Sequence, residues 1–231
     1  MSAHTFPDLS GKTILQVIPD LAAGGAERTT VEMAEAITGA SGRALVVSQG
    51  GRLEGALLAA GGELFPMNAA TKNPFTVRAN AHKIQALIKS ENVDLIHARS
   101  RAPGWSAYTA ALRTGTPFVT TYHGAYSGTS GLKRKYNSVM AKGELVIANS
   151  EWTAAHIQAV HGLPKDKIVT IPRGVDFNLF DPDKISASRK AALAAAWGLE
   201  PADKRLNLVL PGRLTDWKGQ RVAIDALALM D

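Results

Sequence analysis

The segment that most constrains this chain runs from Lys12 to Ile37 and reads KTILQVIPDLAAGGAERTTVEMAEAI. It opens with an apolar, β-branched run whose length is typical of a strand buried in a parallel sheet. A break containing Gly24 and Gly25 follows, and apolar residues then recur at helical spacing. Glu27 falls in the first turn of that helix, where a carboxylate suits the positive helix end. The segment therefore predicts a strand, a glycine turn and a helix.

This arrangement suits an anion, because the first backbone N–H groups of a helix have no partner within the helix. Glycines in the turn can adopt backbone angles that other residues avoid. The alternative is that Gly24 and Gly25 only make a tight turn, since glycine turns begin many strand–helix units. The residues of this segment alone favour neither interpretation.

Composition limits the classes of protein that the chain can form. It has 231 residues, of which 45% are hydrophobic and 20% charged, and this balance is ordinary for a soluble globular protein. Since the chain has no cysteine, disulfides and thiolate metal sites are excluded. No apolar run approaches the roughly 20 residues that span a bilayer. We therefore expect a cytoplasmic protein that is not integral to a membrane.

The chain is basic, with a net charge of +6. This charge favours phosphate-rich partners such as nucleotides or anionic lipid. The chain lacks the aromatic-basic signature of RNA-binding domains, so we expect no nucleic-acid partner. Its histidines and carboxylates show no metal-ligand spacing, so we also expect no metal site.

Strand-like and helix-like segments alternate along the chain, which is typical of βαβ units around a parallel sheet. We predict a first α/β domain over residues 1–176, a linker and helix over 177–204, and the start of a second α/β domain over 205–231. In the last segment, Leu206–Leu210 is predicted as a strand and Gln220–Met230 as a helix. One such unit cannot bury both faces of a sheet, so we expect this second domain to be incomplete in the chain.

Candidate functional residues follow several predicted strands directly. They are Gly24-Gly25, His97, His123 and Asn149-Ser150. Ligands of open α/β sheets bind at the carboxyl ends of the strands, so we expect these loops to converge on one site. The alternative is that polar residues simply end these strands.

A second phosphate-binding site is predicted in the segment PGRLTDWKGQ. This segment places Arg213 and Lys218 between a predicted strand and a helix. Arginine can grip phosphate oxygens in a fork, and lysine adds a point charge. Together they suit a diphosphate. Two solvated loop cations are the alternative interpretation of the same residues.

Taken in order, these motifs resemble those of the family-4 glycosyltransferases, which have the GT-B fold. The matching segments are Gly24-Gly25-Ala26-Glu27, Thr121-Tyr122-His123-Gly124, Ala148-Asn149-Ser150, Gly174-Val175-Asp176 and Gly212-Arg213-Leu214 with Lys218-Gly219. The resemblance implies two Rossmann-like domains that face a cleft. It further implies that the N-terminal domain receives the acceptor and the C-terminal domain holds most of a nucleotide-sugar donor. Sugar transfer would be retaining and would need no metal ion or other cofactor.

The resemblance also assigns roles to residues. Arg213 and Lys218 would bind the donor diphosphate, and the amides of Gly24 and Gly25 would approach the same phosphates or the transferred sugar. His123 would be the active-site histidine and would hydrogen-bond the sugar or the diphosphate rather than act as a general base. Residues on the acceptor side would be Glu27, Arg99, Arg101, Asn149 and Ser150.

The segment His97–Trp105, HARSRAPGW, is similar to the acceptor side of bacterial transferases that build the lipopolysaccharide core. We therefore expect a glycan or glycolipid acceptor of the cell envelope. Two departures from the family pattern stand out. Arg173 precedes Gly174 where the family often has Asn, and the acidic motif that contacts the sugar would come after the last residue here. We expect a truncated transferase with little activity alone, and the alternative is a non-catalytic Rossmann-like module that binds a nucleotide or phosphate ligand.

Four cations lie beside apolar residues in the segment Gly131–Gly143, GLKRKYNSVMAKG. This composition suits peripheral contact with the anionic inner face of the cytoplasmic membrane. The alternative is an ordinary helix whose residues Val139 and Met140 pack into the core.

Overall fold

The computed structural model describes residues 7–124, 126, 130–177, 179–200 and 205–230. They form two compact units that divide between Gly174 and Val175. We call the described residues up to Gly174 unit 1 and those from Val175 unit 2.

Unit 1 contains a parallel seven-stranded sheet. Its strands are β1 (Thr13–Val17), β2 (Arg43–Ser48), β3 (Glu63–Pro66), β4 (Leu95–Ala98), β5 (Phe118–Tyr122), β6 (Leu145–Ala148) and β7 (Ile168–Thr170). Its helices are α1 (Gly25–Gly39), α2 (Glu54–Ala59), α3 (Pro74–Ser90), α4 (Arg101–Thr114), α5 (Gly131–Asn137) and α6 (Glu151–His161). The predicted α/β fold is confirmed.

The strand order is β3-β2-β1-β4-β5-β6-β7, so the direction of winding reverses between β1 and β4. Ligands of open α/β sheets bind beside such a reversal, in the crevice outside the carboxyl ends of the strands. The register pairs Gln16 with His97 and Val17 with Ala98 across this point. The loops after β1 and β4 therefore lie side by side.

Helices pack against both faces of the sheet at β2, where side chains alternate between the two faces along the strand. On β2, Val46 belongs to the core that contains α1 and α2, whereas its neighbour Val47 belongs to the core that contains α3 and α4. Both valines are fully buried. The packed sheet provides a rigid base for the loops at its carboxyl edge.

The segment Gly131–Gly143 divides into α5 and a short 3₁₀ turn over Ser138–Ala141. Val139 and Met140 are fully buried, which confirms that they pack into the core. The cations of α5 are exposed, and Leu132 beside them is 84% exposed.

Unit 2 contains α7 (Ala187–Ala196) and α8 (Gln220–Leu227), and neither helix buries a residue. The predicted strand over Leu206–Leu210 is wrong, because no strand is found among the described residues of unit 2. A strand becomes stable only by pairing with a neighbour, so an apolar, β-branched run is not sufficient. Across the described ranges, no helix combines the length and apolar character needed to cross a membrane.

Candidate functional site

A cavity of about 550 Å³ lies in unit 1 along the sheet face that α1 covers, and we call it cavity A. Side chains of β1, β4, β5, β6 and β7 make its mostly apolar wall. Its polar lining residues are Thr29, Glu32, His97, Arg99, Thr121, His123, Asn149 and Arg173. The predicted convergence of strand-end residues is therefore observed for His97, His123 and Asn149.

Arg99 directly follows β4 and is buried, with 2% of its surface exposed. Its Nε donates a hydrogen bond of 2.7 Å to Oε1 of Gln16, which is buried on β1. Its Nη2 is also buried and has no hydrogen-bond partner among the described residues. Burial, and next the charge of Arg173, lower the pKa of Arg99 to about 9, so the side chain is still a cation at neutral pH. Arg99 thus offers one buried positive donor at cavity A.

His123 follows β5 and accepts a hydrogen bond of 2.9 Å at Nδ1 from Nη2 of Arg173. Because a guanidinium group only donates, Nδ1 must be unprotonated and the ring proton must lie on Nε2. Nε2 is buried and has no partner among the described residues. Burial, with the charges of Arg99 and Arg173, lowers the pKa of His123 to about 3. His123 is therefore a neutral hydrogen-bond donor at neutral pH.

The glycine turn lies against this pair. A Cβ atom on Gly25 would overlap Nη1 of Arg173, so only glycine lets the guanidinium rest on the backbone there. Gly24 has a φ of 148°, and a Cβ atom on it would overlap the carboxylate of Glu27. The turn thus brings the start of α1 next to Arg173, which in turn binds His123. The positive φ of Gly24 is one that glycine adopts more readily than other residues.

Asn149 and Ser150 are engaged in local hydrogen bonds. Asn149 Nδ2 donates to the carbonyl of His123 at 3.4 Å, and Thr153 Oγ1 donates to Asn149 Oδ1 at 2.8 Å. Ser150 caps α6 by accepting the backbone N–H of Thr153 at 3.1 Å. These contacts hold the loop after β6 against the loop after β5. The predicted acceptor contacts of both residues stay predictions.

Arg101 does not line cavity A. It lies in a second cavity of about 740 Å³ in unit 1, which we call cavity B. Its Nη1 donates to Asn137 Oδ1 at 2.7 Å, and its guanidinium carbon lies 4.2 Å from the ring centre of Tyr126. The structure therefore separates Arg99 from Arg101, which the sequence placed together on the acceptor side.

Sequence reasoning missed the role of Gln16, although a single amide inside the apolar run TILQV was the available signal. Gln16 also donates through Nε2 to the carbonyl of Thr30 at 3.0 Å, which fixes its orientation. His97 lies within β4 rather than after it, and its Nε2 is 2.7 Å from Thr121 Oγ1. Burial lowers the pKa of His97 well below its usual value.

In unit 2, Arg213 and Lys218 are exposed and lie in one loop before α8. Gln220 Nε2 donates to the carbonyl of Arg213 at 2.9 Å, and a Cβ atom on Gly212 would lie 3.6 Å from Lys218 Cδ. The loop therefore holds both cations close to the start of a helix. Within the described ranges, no group of His, Asp and Glu residues is arranged to hold a metal ion.

Known proteins resemble this chain in sequence and structure. A crystal structure of a glycosyltransferase from Rickettsia africae is 37% identical, with a TM-score of 0.80 over 94% of this chain and 57% of that one. HepE from Anabaena, crystallised with UDP and glucose, is 24% identical, with a TM-score of 0.75 over 94% of this chain and 58% of that one, and shows the fold alone. D-inositol 3-phosphate glycosyltransferase from Xylanimonas cellulosilytica is 27% identical over 65% of this chain. The chain spans 38% of the length of that relative.

The model of Glycosyltransferase Family 4 matches residues 23–179. This range contains the glycine turn and the polar lining residues of cavity A, among them Arg99, His123 and Arg173. The match covers more than half of the 231 residues. The chain therefore belongs to Glycosyltransferase Family 4.

Proposed function

We propose that the protein is part of a glycosyltransferase that moves a sugar from a nucleotide-sugar donor to a lipopolysaccharide-type or other cell-envelope glycan. One observation carries this proposal: Arg99 Nη2 and His123 Nε2 are buried beside the same cavity and have no partner among the described residues. Buried donors without partners are costly to a fold and are rare. Oxygen atoms of a phosphate or a sugar would satisfy both.

The electrostatics of cavity A suit a departing diphosphate. Negative charge develops on the diphosphate as the bond to the sugar breaks, and Arg99 and Arg173 would stabilise that charge in an apolar cavity. His123 would donate its Nε2 proton in a hydrogen bond without transferring it. In unit 2, we propose that Arg213 and Lys218 bind phosphate oxygens of a donor, as the family resemblance implies. Because arginine and lysine side chains would supply the positive charge, we propose transfer without a metal ion, which EDTA should leave unaffected.

Relatives support the substrate classes. HepE was crystallised with UDP, glucose and UDP-glucose, and several curated relatives are named D-inositol 3-phosphate glycosyltransferase. The segment His97–Trp105 supports an envelope glycan as the acceptor, and the family resemblance supports retention of the anomeric configuration. The exposed cations of α5 support peripheral contact with anionic membrane. The alternative of a binding module without chemistry is not favoured, because the matched relatives are named as glycosyltransferases.

Saturation-transfer NMR with UDP- and GDP-sugars tests the donor site in the 231-residue chain. We expect saturable binding of at least one nucleotide sugar, weakened about tenfold in His123→Ala and Arg173→Ala, since each hydrogen bond to a charged ligand contributes about 1.5–3 kcal/mol. His82→Ala and Arg78→Ala, which change exposed residues outside cavity A, should bind normally. A nucleotide-sugar affinity that is unchanged in His123→Ala would overturn the proposal.

Turnover is a separate expectation. Neither helix of unit 2 buries a residue, so we propose that this polypeptide transfers little or no sugar by itself. A radiolabelled-donor assay of the purified chain measures this directly, and robust turnover would refute the expectation.

A further inference from the structure

Trp152 presents an exposed aromatic surface that the donor site does not use. It lies in the first turn of α6, and 64% of its surface is exposed. Its ring stacks on the ring of His156, with the ring centres 5.4 Å apart and an angle of 8° between the planes. The imidazole therefore covers one face of the indole, and the other face is open to solvent. Because tryptophan is highly buried on average, an indole held open in this way suits a ligand.

The indole is held in place by the residues beneath it. His156 lies against Tyr122, with their ring centres 6.4 Å apart, and Tyr122 is 1% exposed. Thr153 and Ile157, on the inner face of α6, are also buried. A side chain that its neighbours already hold loses little rotamer freedom when a ligand binds. Trp152 is thus a pre-oriented platform rather than a mobile surface residue.

A further cavity of about 460 Å³ lies along the same helix, and we call it cavity C. Its lining residues come from α6, from β7 and from the turn between them, and they are Glu151, Ala154, Ala155, Gln158, Lys165, Ile168 and Thr170. Ala155 comes three positions after Trp152, so the two are neighbours on the helix surface. The platform and cavity C therefore adjoin each other.

The chemistry of cavity C suits a neutral ligand that has many hydroxyl groups. Its polar side chains are a carboxylate, an ammonium, an amide and a hydroxyl, so they both donate and accept hydrogen bonds. The charges of Glu151 and Lys165 balance, which gives no preference for an anion. A sugar ring has a face of C–H bonds that packs on an indole and a rim of hydroxyl groups that need partners. An apolar surface with a few polar groups beside it is typical of small-molecule sites.

Cavity C lies beside the part of the sheet edge that holds the donor site. Asn149 lines cavity A, and Glu151, two residues later, lines cavity C. On β7, Val169 lines cavity A and Thr170 lines cavity C, because consecutive residues face opposite sides of a strand. We propose that Trp152 and cavity C bind the glycan chain of the acceptor, at sugars beyond the one that receives the transferred unit. This inference rests on the proposed glycosyl transfer.

Binding of oligosaccharides to the 231-residue chain tests this proposal. Isothermal titration is carried out with maltotetraose and with the core oligosaccharide released from lipopolysaccharide. We expect at least one of them to bind, with the affinity reduced about tenfold in Trp152→Ala, because the stacking surface is lost. Trp152→Phe keeps an aromatic ring and should lose less affinity. Gln158→Ala should weaken binding about threefold, because one neutral hydrogen bond is lost.

Trp197→Ala is the matched control, since Trp197 is 55% exposed, lies at the end of α7 in unit 2 and does not line cavity C. It should bind both oligosaccharides normally. The proposal is overturned when neither oligosaccharide binds, when Trp152→Ala binds as tightly as the native chain, or when Trp197→Ala weakens binding as much as Trp152→Ala. Sedimentation with phosphatidylglycerol vesicles that requires Trp152, without oligosaccharide binding, would assign the indole to membrane contact instead.

UDP-glucose is titrated into the same variants to separate this proposal from that of the donor site. Trp152→Ala should leave the affinity for UDP-glucose unchanged, because Trp152 does not line cavity A. Normal UDP-glucose binding without oligosaccharide binding rejects only the role of cavity C. A UDP-glucose affinity that is unchanged in His123→Ala rejects the donor site.

Discussion

Arg99 and Arg101 are separated by one residue at the carboxyl end of β4, and the fold gives them different surroundings. Arg99 turns into cavity A, is buried and is held by the amide of Gln16. Arg101 turns into cavity B, is half-buried and is held by aromatic rings and Asn137. The same residue type thus serves as a costly buried cation in one cavity and as a pre-oriented, partly solvated cation in the other.

The difference between the two arginines shows that a charge placed for ligand binding can lower the stability of the fold. A buried cation loses its hydration, and only a partner of opposite charge or strong hydrogen bonds can offset that loss. Arg99 donates a hydrogen bond to the neutral amide of Gln16, so the native protein carries a charge that an anionic ligand would neutralise. Arg101 stays close to water and carries little such cost.

The largest expected effect comes from Arg99→Met, which keeps the volume and removes the charge. The affinity for UDP-glucose should fall roughly 100-fold. The variant loses a charged hydrogen bond of about 1.5–3 kcal/mol and the electrostatic attraction between the arginine and the anionic ligand. The free energy of unfolding should not fall by more than about 1 kcal/mol, because a desolvated cation is removed at the same time. Calorimetric titration and urea unfolding measure both quantities. Equal affinity in Arg99→Met and the exposed control Arg78→Met would contradict the assignment.

Gln16→Leu should have the next largest effect. It leaves the buried Arg99 without its 2.7 Å partner, so the free energy of unfolding should fall by about 2–3 kcal/mol. The double variant with Arg99→Met should recover most of that loss, since the two residues act as one unit. A double-mutant cycle by urea denaturation measures the coupling. Simple additivity would show that Gln16 does not support Arg99.

Acid should destabilise unit 1 through His97 and His123. Both have pKa values below the ordinary value of 6.5, His123 at about 3, so the unfolded chain binds protons first as the pH falls. The contribution of these neutral histidines to the free energy of unfolding is therefore fully present above pH 6.5 and decreases below it. Between pH 7 and pH 5.5 the decrease should be about 1 kcal/mol for each histidine. Urea midpoints at the two pH values measure this loss. The His97→Gln variant should lose less stability than the native chain over the same pH change. Identical urea midpoints of the native chain at pH 7 and pH 5.5 would contradict the prediction.

Arg101→Met should have the smallest effect on stability. The cation–π contact with Tyr126 is partly exposed and contributes about 0.5–1 kcal/mol, so the free energy of unfolding should change by less than about 1 kcal/mol. Thermal unfolding measures the change. A loss as large as that of Gln16→Leu would remove the contrast between the two arginines.

Local patterns in the sequence predicted much of unit 1. The apolar run, the glycine turn and the helical spacing of residues 12–37 gave β1 and α1, because period and turn residues are local signals. The strand predicted over Leu206–Leu210 failed, because strand formation depends on a neighbour that local sequence does not reveal.

The chemistry of the site depended on contacts between distant segments. Gln16 meets Arg99 because β1 and β4 are neighbours in the sheet, and Arg173 meets Gly25 and His123 from the segment after β7. Neither contact can be read from spacing along the chain. Ser150 was predicted to bind acceptor, and its hydroxyl caps α6. A serine after a strand suits either role, and the sequence alone does not decide between them.

The protonation of His123 is the most direct test of the donor site. Two-bond ¹H–¹⁵N NMR of the histidine rings reports which nitrogen carries the proton, and UDP-glucose can be added to the same sample. We predict a proton on Nε2 with no titration between pH 5 and 8, and a clear shift of the Nε2 signal when UDP-glucose binds. Three results would contradict the role given to His123. They are a proton on Nδ1, a titration midpoint near pH 6.5, and an Nε2 signal that does not shift when UDP-glucose is added to saturation.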